Sequence, residues 1–270
     1  MLRRPATDPR GEMPFLDHLE ELRWRVLWSL LAVGAFSVVG FMIVHYLDVM
    51  DLLVRPARPI LGGEELHYVS PATPFWITLQ LSVVLGIILA MPIVVRQVWA
   101  FFSPALEEHE KKAIVPSLYL GLVLFCAGVA MAYFAVLPLA LQFLSSFQEG
   151  YLQATIEVGM YLGFVTKLLI AFGLVFELPV VVMILSALGL VTPELMRSKR
   201  RHAIVGMTVL ASLLTPGDIV STFLMIAPLV VLYEGSIGLS AMVHRKRRER
   251  EEALRPSQEP PPGAVEAGRG

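Results

Sequence analysis

The chain has 270 residues, of which 56% are hydrophobic and only 17% are charged, and its mean hydropathy is +0.66. This composition is unlike that of a globular protein and indicates an integral membrane protein. The net charge of −1 and the confinement of basic residues to a few short segments argue against nucleic-acid binding. The single cysteine, Cys126, cannot form an intramolecular disulfide, and we expect it to be a small buried hydrophobe.

The chain begins with a tail, residues 1–13, that is expected to be disordered, followed by an acidic amphipathic helix predicted over residues 14–26. Four apolar residues recur there at helical spacing: Phe15, Leu19, Leu22 and Val26. The opposite side carries three carboxylates around Trp24, those of Asp17, Glu20 and Glu21. One interpretation is a surface helix that lays its apolar stripe on lipid and pairs Glu21 with Arg25 one turn later. The other is that the acidic side binds a ligand.

Six apolar segments predict an all-α membrane protein with six transmembrane helices, since a span needs about 20 residues to cross roughly 30 Å of hydrocarbon. They are residues 26–47, 75–95, 115–137, 160–190, 203–214 and 219–243. The last two helices are expected to be short and joined by a tight turn at "TPGD", residues 215–218. Prolines in or beside the apolar segments predict kinks and a concave bundle: Pro92, Pro138, Pro179 and Pro228.

The distribution of lysine and arginine predicts the orientation. Basic clusters precede the first span and follow the second, fourth and sixth spans, whereas the opposite loops hold only Arg55 and Arg58. By the positive-inside rule, both termini are therefore expected in the cytoplasm. The membrane domain is predicted over residues 14–244, and the charged and proline-rich tail, residues 245–270, is expected to be disordered. The first span is expected to remain in the mature protein, because it is too long for a cleavable signal core.

A second acidic segment, residues 101–116, follows the second span on the predicted cytoplasmic side. The segment is predicted to form a short helix, with Ser103 as its N-cap, Pro104 at its first position and Pro116 at its end. Its three carboxylates are those of Glu107, Glu108 and Glu110. Two acidic patches on the basic side of a membrane protein indicate a cationic ligand, and guanidinium suits paired carboxylates because it binds them bidentately. Exposed pairs are weak, so an apolar neighbour such as Phe101 or Trp24 is also expected.

Glu177 lies deep in the fourth apolar segment. A charged residue at bilayer depth is costly, so we expect it to face protein or water and to have a function. The structural alternative is a protonated carboxyl that donates to a backbone carbonyl freed by Pro179. Lys167 is about 15 Å away along the helix and turned aside, so it is expected to reach the membrane interface rather than pair with Glu177.

Five motifs follow one another along the chain: "FLDHLEELRWR", "QVWAFFSPALEEHEKK", "AYFAVLPLA", "FGLVFELPV" and "LLTPGD". In this order and spacing they resemble the TatC family, the membrane receptor of the twin-arginine protein translocase. The resemblance extends from about Phe15 to Leu239 and implies a receptor for signal peptides with two consecutive arginines on folded export cargo. It also implies partnership with the single-span proteins TatA and TatB, and self-association in the lipid membrane.

The same resemblance implies roles for individual residues. Glu21 and Glu110 match the family's signal-binding carboxylates, and Phe101 and Arg23 match positions near them. A role for Glu20, where the family often has an apolar residue, is an additional hypothesis.

Deeper in the membrane, Glu177 matches a glutamate that helps contact the TatA and TatB spans or lines the transport path. Thr222 stands where family members often have a glutamine partner for it, and a threonine hydroxyl is a shorter, weaker donor. Pro56 in the external loop matches a family position to which we assign rigidity. Asp218 is expected either to cap the last span or to have a function.

Few other functions fit the sequence. No catalytic, nucleotide-binding or metal-spaced motif is present, so we expect no enzyme activity, no cofactor and no metal. A metal site built from His18 and His109 is a minor hypothesis. The main rival function is a proton-coupled secondary transporter in which Glu177 carries the proton, although no internal repeat supports it.

Overall fold

The computed structural model of the chain describes residues 15–61, 66–105, 108–146, 156–214 and 219–254. These residues form helices and short connections without a strand, apart from one isolated pairing of His67 with Glu157. Eleven α-helices follow in order: α1 Phe15–Tyr46, α2 Val49–Val54, α3 Arg58–Leu61, α4 Thr73–Phe102, α5 Glu108–Met131, α6 Leu137–Ser145, α7 Val158–Val175, α8 Leu178–Ala187, α9 Pro193–Ser198, α10 Arg200–Leu214 and α11 Ile219–Leu254. The all-α prediction is confirmed.

Five helical stretches in the described part of the chain are long and apolar enough to cross a membrane. They are Asp17–Tyr46, Thr73–Phe102, Leu118–Ser145, Val158–Ala187 and Met225–Arg245. The remaining predicted span corresponds to α10, which has only 15 residues. At 1.5 Å per residue it is shorter than roughly 30 Å of hydrocarbon. The chain is therefore a multi-pass membrane protein, and the count of six spans stays a prediction.

Helix α11 corrects two expectations. It has 36 residues, so the last helix is not short, and it passes Arg245, where the disordered tail was expected to begin, to end at Leu254. The charged segment supports helix through pairs one turn apart, as between Arg245 Nε and Glu249 Oε1 at 2.8 Å. Arginine and glutamate are also good helix formers, so a high charge content did not exclude a helix here.

The second acidic segment also differs from the prediction. Ser103 does not cap a new helix; the chain passes from α4 into a 3₁₀ turn over Ser103–Ala105. Helix α5 then begins at Glu108 and runs through Pro116 to Met131, so Pro116 does not end it. A proline removes one backbone donor, and a long membrane helix keeps the rest of its hydrogen bonds.

Two of the predicted kinks coincide with breaks in a helix. A π-helical turn, Ala132–Val136, immediately precedes Pro138. The fourth apolar segment is broken between α7 and α8 at Phe176 and Glu177, and Pro179 lies in the first turn of α8. Pro92 and Pro228 lie inside continuous helices. Cys126 is exposed on α5, contrary to the expectation of burial; in a membrane helix an apolar thiol can face lipid as readily as protein.

Close helix contacts depend on glycine. Between α1 and α4, a Cβ on Gly40 would lie 2.5 Å from the Ser82 carbonyl oxygen, and one on Gly86 would overlap Ser37. Between α5 and α7, a Cβ on Gly173 would lie 2.6 Å from the Phe125 ring, which is fully buried. Small residues let membrane helices approach to backbone contact. The large buried side chains gather around α7: Leu81, Phe125, Leu137, Leu162, Val165, Leu168 and Phe172.

The connection between α1 and α4 folds back over one end of the bundle. Tyrosine hydroxyls donate to its backbone carbonyls, Tyr133 to Leu52 at 2.5 Å and Tyr161 to Leu53 at 2.8 Å. Asp51 forms ion pairs with Arg55 and Arg58. Pro56 lies half-buried in the 3₁₀ turn Arg55–Ala57 between these arginines.

Candidate functional site

Glu21 already binds a guanidinium in this structure. Arg25, one turn later on α1, donates from Nε to Glu21 Oε1 at 3.0 Å, and its Nη2 contacts the same oxygen. Both side chains are largely covered, with 24% of Arg25 and 21% of Glu21 exposed. The predicted pairing within α1 is therefore present, and Glu21 is not a free carboxylate.

The second oxygen of this carboxylate is different. Glu21 Oε2 is covered from solvent and has no hydrogen-bond partner among the described residues. His18 Nδ1 lies 3.9 Å from it, which is beyond hydrogen-bond distance. Because Arg25 uses only Oε1, one face of the carboxylate keeps its acceptor capacity for another donor.

His18 connects the two predicted acidic segments. Its ring stacks on Phe101 at the end of α4, with ring centroids 4.3 Å apart and an interplanar angle of 15°. Phe101 in turn meets Phe102 edge to face at 5.2 Å. The first turns of α1 and the end of α4 therefore lie side by side, and the His18 ring that stacks on Phe101 has its Nδ1 3.9 Å from Glu21 Oε2.

The other predicted residues of this surface are less constrained. Glu20, Arg23 and Trp24 are exposed on α1, and Asp17 is half-buried. The backbone of Glu110 lies in the first turn of α5, which follows the Phe101 segment directly, and its side chain is outside the described part of the structure.

Sequence reasoning missed the role of His18. It was considered there only as a metal ligand with His109, and within the described ranges no group of three His, Cys, Asp or Glu residues could hold a metal ion. The available signal was its position three residues before Glu21, which puts both on one helix face. The stacking with Phe101 joins residues distant in sequence and could not be predicted from spacing.

Glu177 forms a second polar site at the break between α7 and α8. The residue is half-buried, and its Oε1 is covered and has no hydrogen-bond partner within the described ranges. The other oxygen faces α5, because a Cβ built on Gly121 would lie only 2.7 Å from Oε2. A glycine on α5 therefore makes room for this carboxyl. Lys167 is exposed on α7.

Thr222 is half-buried near the start of α11. Helices α8 and α11 run in parallel, because Ser186 Oγ lies 2.7 Å from Ser240 Oγ and His244 Nε2 lies 3.0 Å from the Val191 carbonyl oxygen. Glu177 is nine positions before Ser186, whereas Thr222 is eighteen positions before Ser240. At 1.5 Å per residue, their heights along the bundle differ by roughly 13 Å, which argues against a direct hydrogen bond between them. Asp218 lies outside the described residues.

Comparison with known proteins gives one consistent result. The family model described as "Sec-independent protein translocase protein (TatC)" matches residues 17–228. The TatC protein of Aquifex aeolicus is 40% identical over 89% of this chain and 100% of its own length. The TatC protein of Escherichia coli K12 is 37% identical over 88% of this chain and 92% of its own.

The fold leads to the same family. A crystal structure of the twin-arginine translocase receptor TatC superposes with a TM-score of 0.76 at 39% identity, over 84% of this chain and 99% of that one. A second, determined in DDM, gives a TM-score of 0.75. The chain belongs to the TatC family and is a component of the Sec-independent protein translocase.

Proposed function

We propose that this chain is the signal-peptide receptor and a core subunit of the twin-arginine translocase, which exports folded proteins across the cytoplasmic membrane. The residues assigned to bind the two arginines of the signal peptide are Glu21, Glu110, Phe101 and Arg23, with Glu20 as an additional hypothesis. The observation that carries this proposal is the Glu21 carboxylate, which binds one guanidinium and whose second oxygen has no hydrogen-bond partner among the described residues, beside the stacked rings of His18 and Phe101.

The pairing of Glu21 with Arg25 defines how an incoming arginine binds. An arginine of the signal peptide either occupies Oε2 or replaces Arg25 at Oε1. Replacement is inexpensive, since a partly exposed pair one turn apart is worth only about 0.3–1 kcal/mol. The intramolecular pair therefore holds the carboxylate in place without excluding the ligand.

The proposed orientation places this surface at the inner membrane boundary. Six spans with both termini in the cytoplasm put every basic cluster on the same side of the membrane. In this arrangement α10 is the fifth span and α11 contains the sixth. A signal peptide with arginines followed by an apolar segment would then keep its charges at the headgroups and its apolar part against the bundle.

Glu177 is assigned to a later step. Its Oε1, which has no hydrogen-bond partner among the described residues, is satisfied by a polar group from another chain, namely a span of TatA, of a TatB-like protein or of a second copy of this chain. The rival hypothesis of a proton-coupled transporter is not favoured, because the related proteins and both crystal structures are protein translocase components.

Photocrosslinking of a labelled signal peptide tests the receptor function. A peptide with Arg-Arg is expected to crosslink to the wild type, and one with Lys-Lys much less, since lysine cannot form the bidentate pair. Glu21→Ala and Glu110→Ala should each weaken crosslinking roughly tenfold or more, the scale of a charge-assisted hydrogen bond. Glu249→Gln, which removes the same charge elsewhere, is the matched control. Indifference to both the peptide and the Glu21 and Glu110 changes would overturn the proposal.

A further inference from the structure

A polar cavity of about 1020 Å³ lies where the end of α8, helix α9 and the basic end of α11 meet. Its cationic lining consists of Arg197 from α9 and of Arg245 and Arg248 from α11. These arginines come from two segments far apart in sequence. Positive-inside topology requires arginines on this side of the membrane, but it does not require that they converge on one cavity.

The walls of this cavity are fixed by specific contacts. Ser186 and Ser240, both fully buried, join α8 to α11 just inside it. Gly189, with φ of 73°, then turns the chain out of α8 in a conformation that favours glycine. Because a carbonyl oxygen only accepts, His244 Nε2 donates to Val191 and ties this turn to α11.

The charge balance of the cavity is positive. Two carboxylates, those of Glu194 and Glu249, share it with the three arginines. Glu249 is engaged by Arg245 at 2.8 Å. A hydrogen bond from its own backbone N–H lowers the pKa of the Glu194 carboxyl, so this residue counts as a full negative charge. Among the side chains that the structure describes, none forms a hydrogen bond or ion pair with Arg248, whose side chain lines the cavity.

The cavity lies at the ends of two membrane-length helical stretches. Val158–Ala187 ends one residue before Leu188 of the lining, and Met225–Arg245 ends at Arg245, which is itself a lining residue. A phospholipid at this boundary offers its phosphate to the arginines while its acyl chains stay beside the apolar helices, and basic pockets between membrane helices bind anionic headgroups.

We propose that this cavity is a binding site for the phosphodiester headgroup of an anionic phospholipid, which Arg197, Arg245 and Arg248 hold between α9 and α11. This inference goes beyond the receptor function and does not depend on it. Bound lipid would fix the helical end of α11 against the α8–α9 turn, within the same membrane boundary as the proposed signal-peptide surface.

The test is lipid binding by the full-length protein in detergent, measured by native mass spectrometry. Dioleoyl phosphatidylglycerol is titrated against the wild type, Arg197→Gln/Arg248→Gln and the control Arg96→Gln/Arg201→Gln, which removes two exposed arginines outside the cavity. Phosphatidylcholine with the same acyl chains provides the headgroup control. Glycerol phosphate, added at millimolar concentration, tests whether a free phosphate compound occupies the site.

We expect phosphatidylglycerol to bind the wild type and the control equally and the cavity variant roughly 25-fold more weakly, at about fivefold for each of the two arginines. Phosphatidylcholine should bind all three proteins weakly, and glycerol phosphate should not displace the lipid. Equal lipid affinity for the cavity variant and the control would overturn the proposal. The proposal would also be overturned if glycerol phosphate displaced the lipid from the wild type, because the ligand would then be a soluble phosphate compound.

Discussion

The carboxylates of Glu21 and Glu177 differ in the partners that their surroundings provide. Glu21, at the start of α1, holds a guanidinium from its own helix and stands beside the stacked rings of His18 and Phe101. Glu177, at the break between α7 and α8, has one oxygen with no hydrogen-bond partner in the described chain and the other against a glycine. Near water a carboxylate can be kept in place by a weak, replaceable partner. At membrane depth an unsatisfied oxygen is costly, and the proposed function therefore assigns the missing donor to another chain.

One way to disturb this contrast is to fill the space beside Glu177. Gly121→Ala puts a methyl group within 2.7 Å of Oε2; because this oxygen ends a flexible side chain that can turn aside, the free energy of unfolding should fall by about 1 kcal/mol, the lower end for overpacking. Thermal unfolding in detergent measures the effect. Gly163→Ala is the matched control, because nothing lies within 4 Å of its Cβ position, and alanine there should be neutral or stabilising. Gly121→Ala combined with Glu177→Ala should recover stability; no recovery would show that the clash lies elsewhere.

The next prediction separates the two carboxylates by function. Glu177→Ala should leave signal-peptide crosslinking unchanged while export of a reporter in cells falls to about a tenth, the effect of losing an interaction worth roughly 1.4 kcal/mol. Glu177→Gln, which keeps a hydrogen-bonding group at this depth, should fall less. Loss of peptide crosslinking in Glu177→Ala would assign this residue to signal-peptide binding, and Glu21 and Glu177 would then not act at different steps.

The smallest expected effect concerns Arg25. Arg25→Gln removes the competing guanidinium and should raise the affinity for an Arg-Arg signal peptide about two- to fivefold, on the scale of a helical ion pair one turn apart. Fluorescence anisotropy of a labelled peptide is sensitive enough to detect this change. The increase should disappear when Glu21→Gln is also present. A fall in affinity would mean that Arg25 positions the carboxylate more than it competes for it.

Local signals in the sequence predicted much of this fold. Apolar segments of membrane length indicated the spans, and Pro179 indicated the break beside Glu177, because both depend on neighbouring residues alone. The pairing of Glu21 with Arg25 followed from their spacing. By contrast, helix α11 continues past Arg245 because charged residues can pair along a helix, which a composition argument for disorder overlooks.

Contacts between distant segments could not be predicted in the same way. The stacking of His18 on Phe101 and the space that Gly121 leaves for Glu177 depend on how α1, α4, α5 and α7 pack together. Pro116 gave a wrong boundary because a proline restricts a helix without always ending it. The resemblance to the family supplied the identity of the candidate residues, and the structure supplied their partners.

A double-mutant cycle between Glu21 and the signal peptide tests the central claim most directly. Dissociation constants are measured for wild type and Glu21→Gln, each with an Arg-Arg peptide and with a peptide in which citrulline, the neutral isostere, replaces one arginine in turn. If a signal arginine binds the Glu21 carboxylate, one of the two positions will show a coupling free energy of at least about 1 kcal/mol. Coupling near zero at both positions, with each single change still weakening binding, would contradict the account.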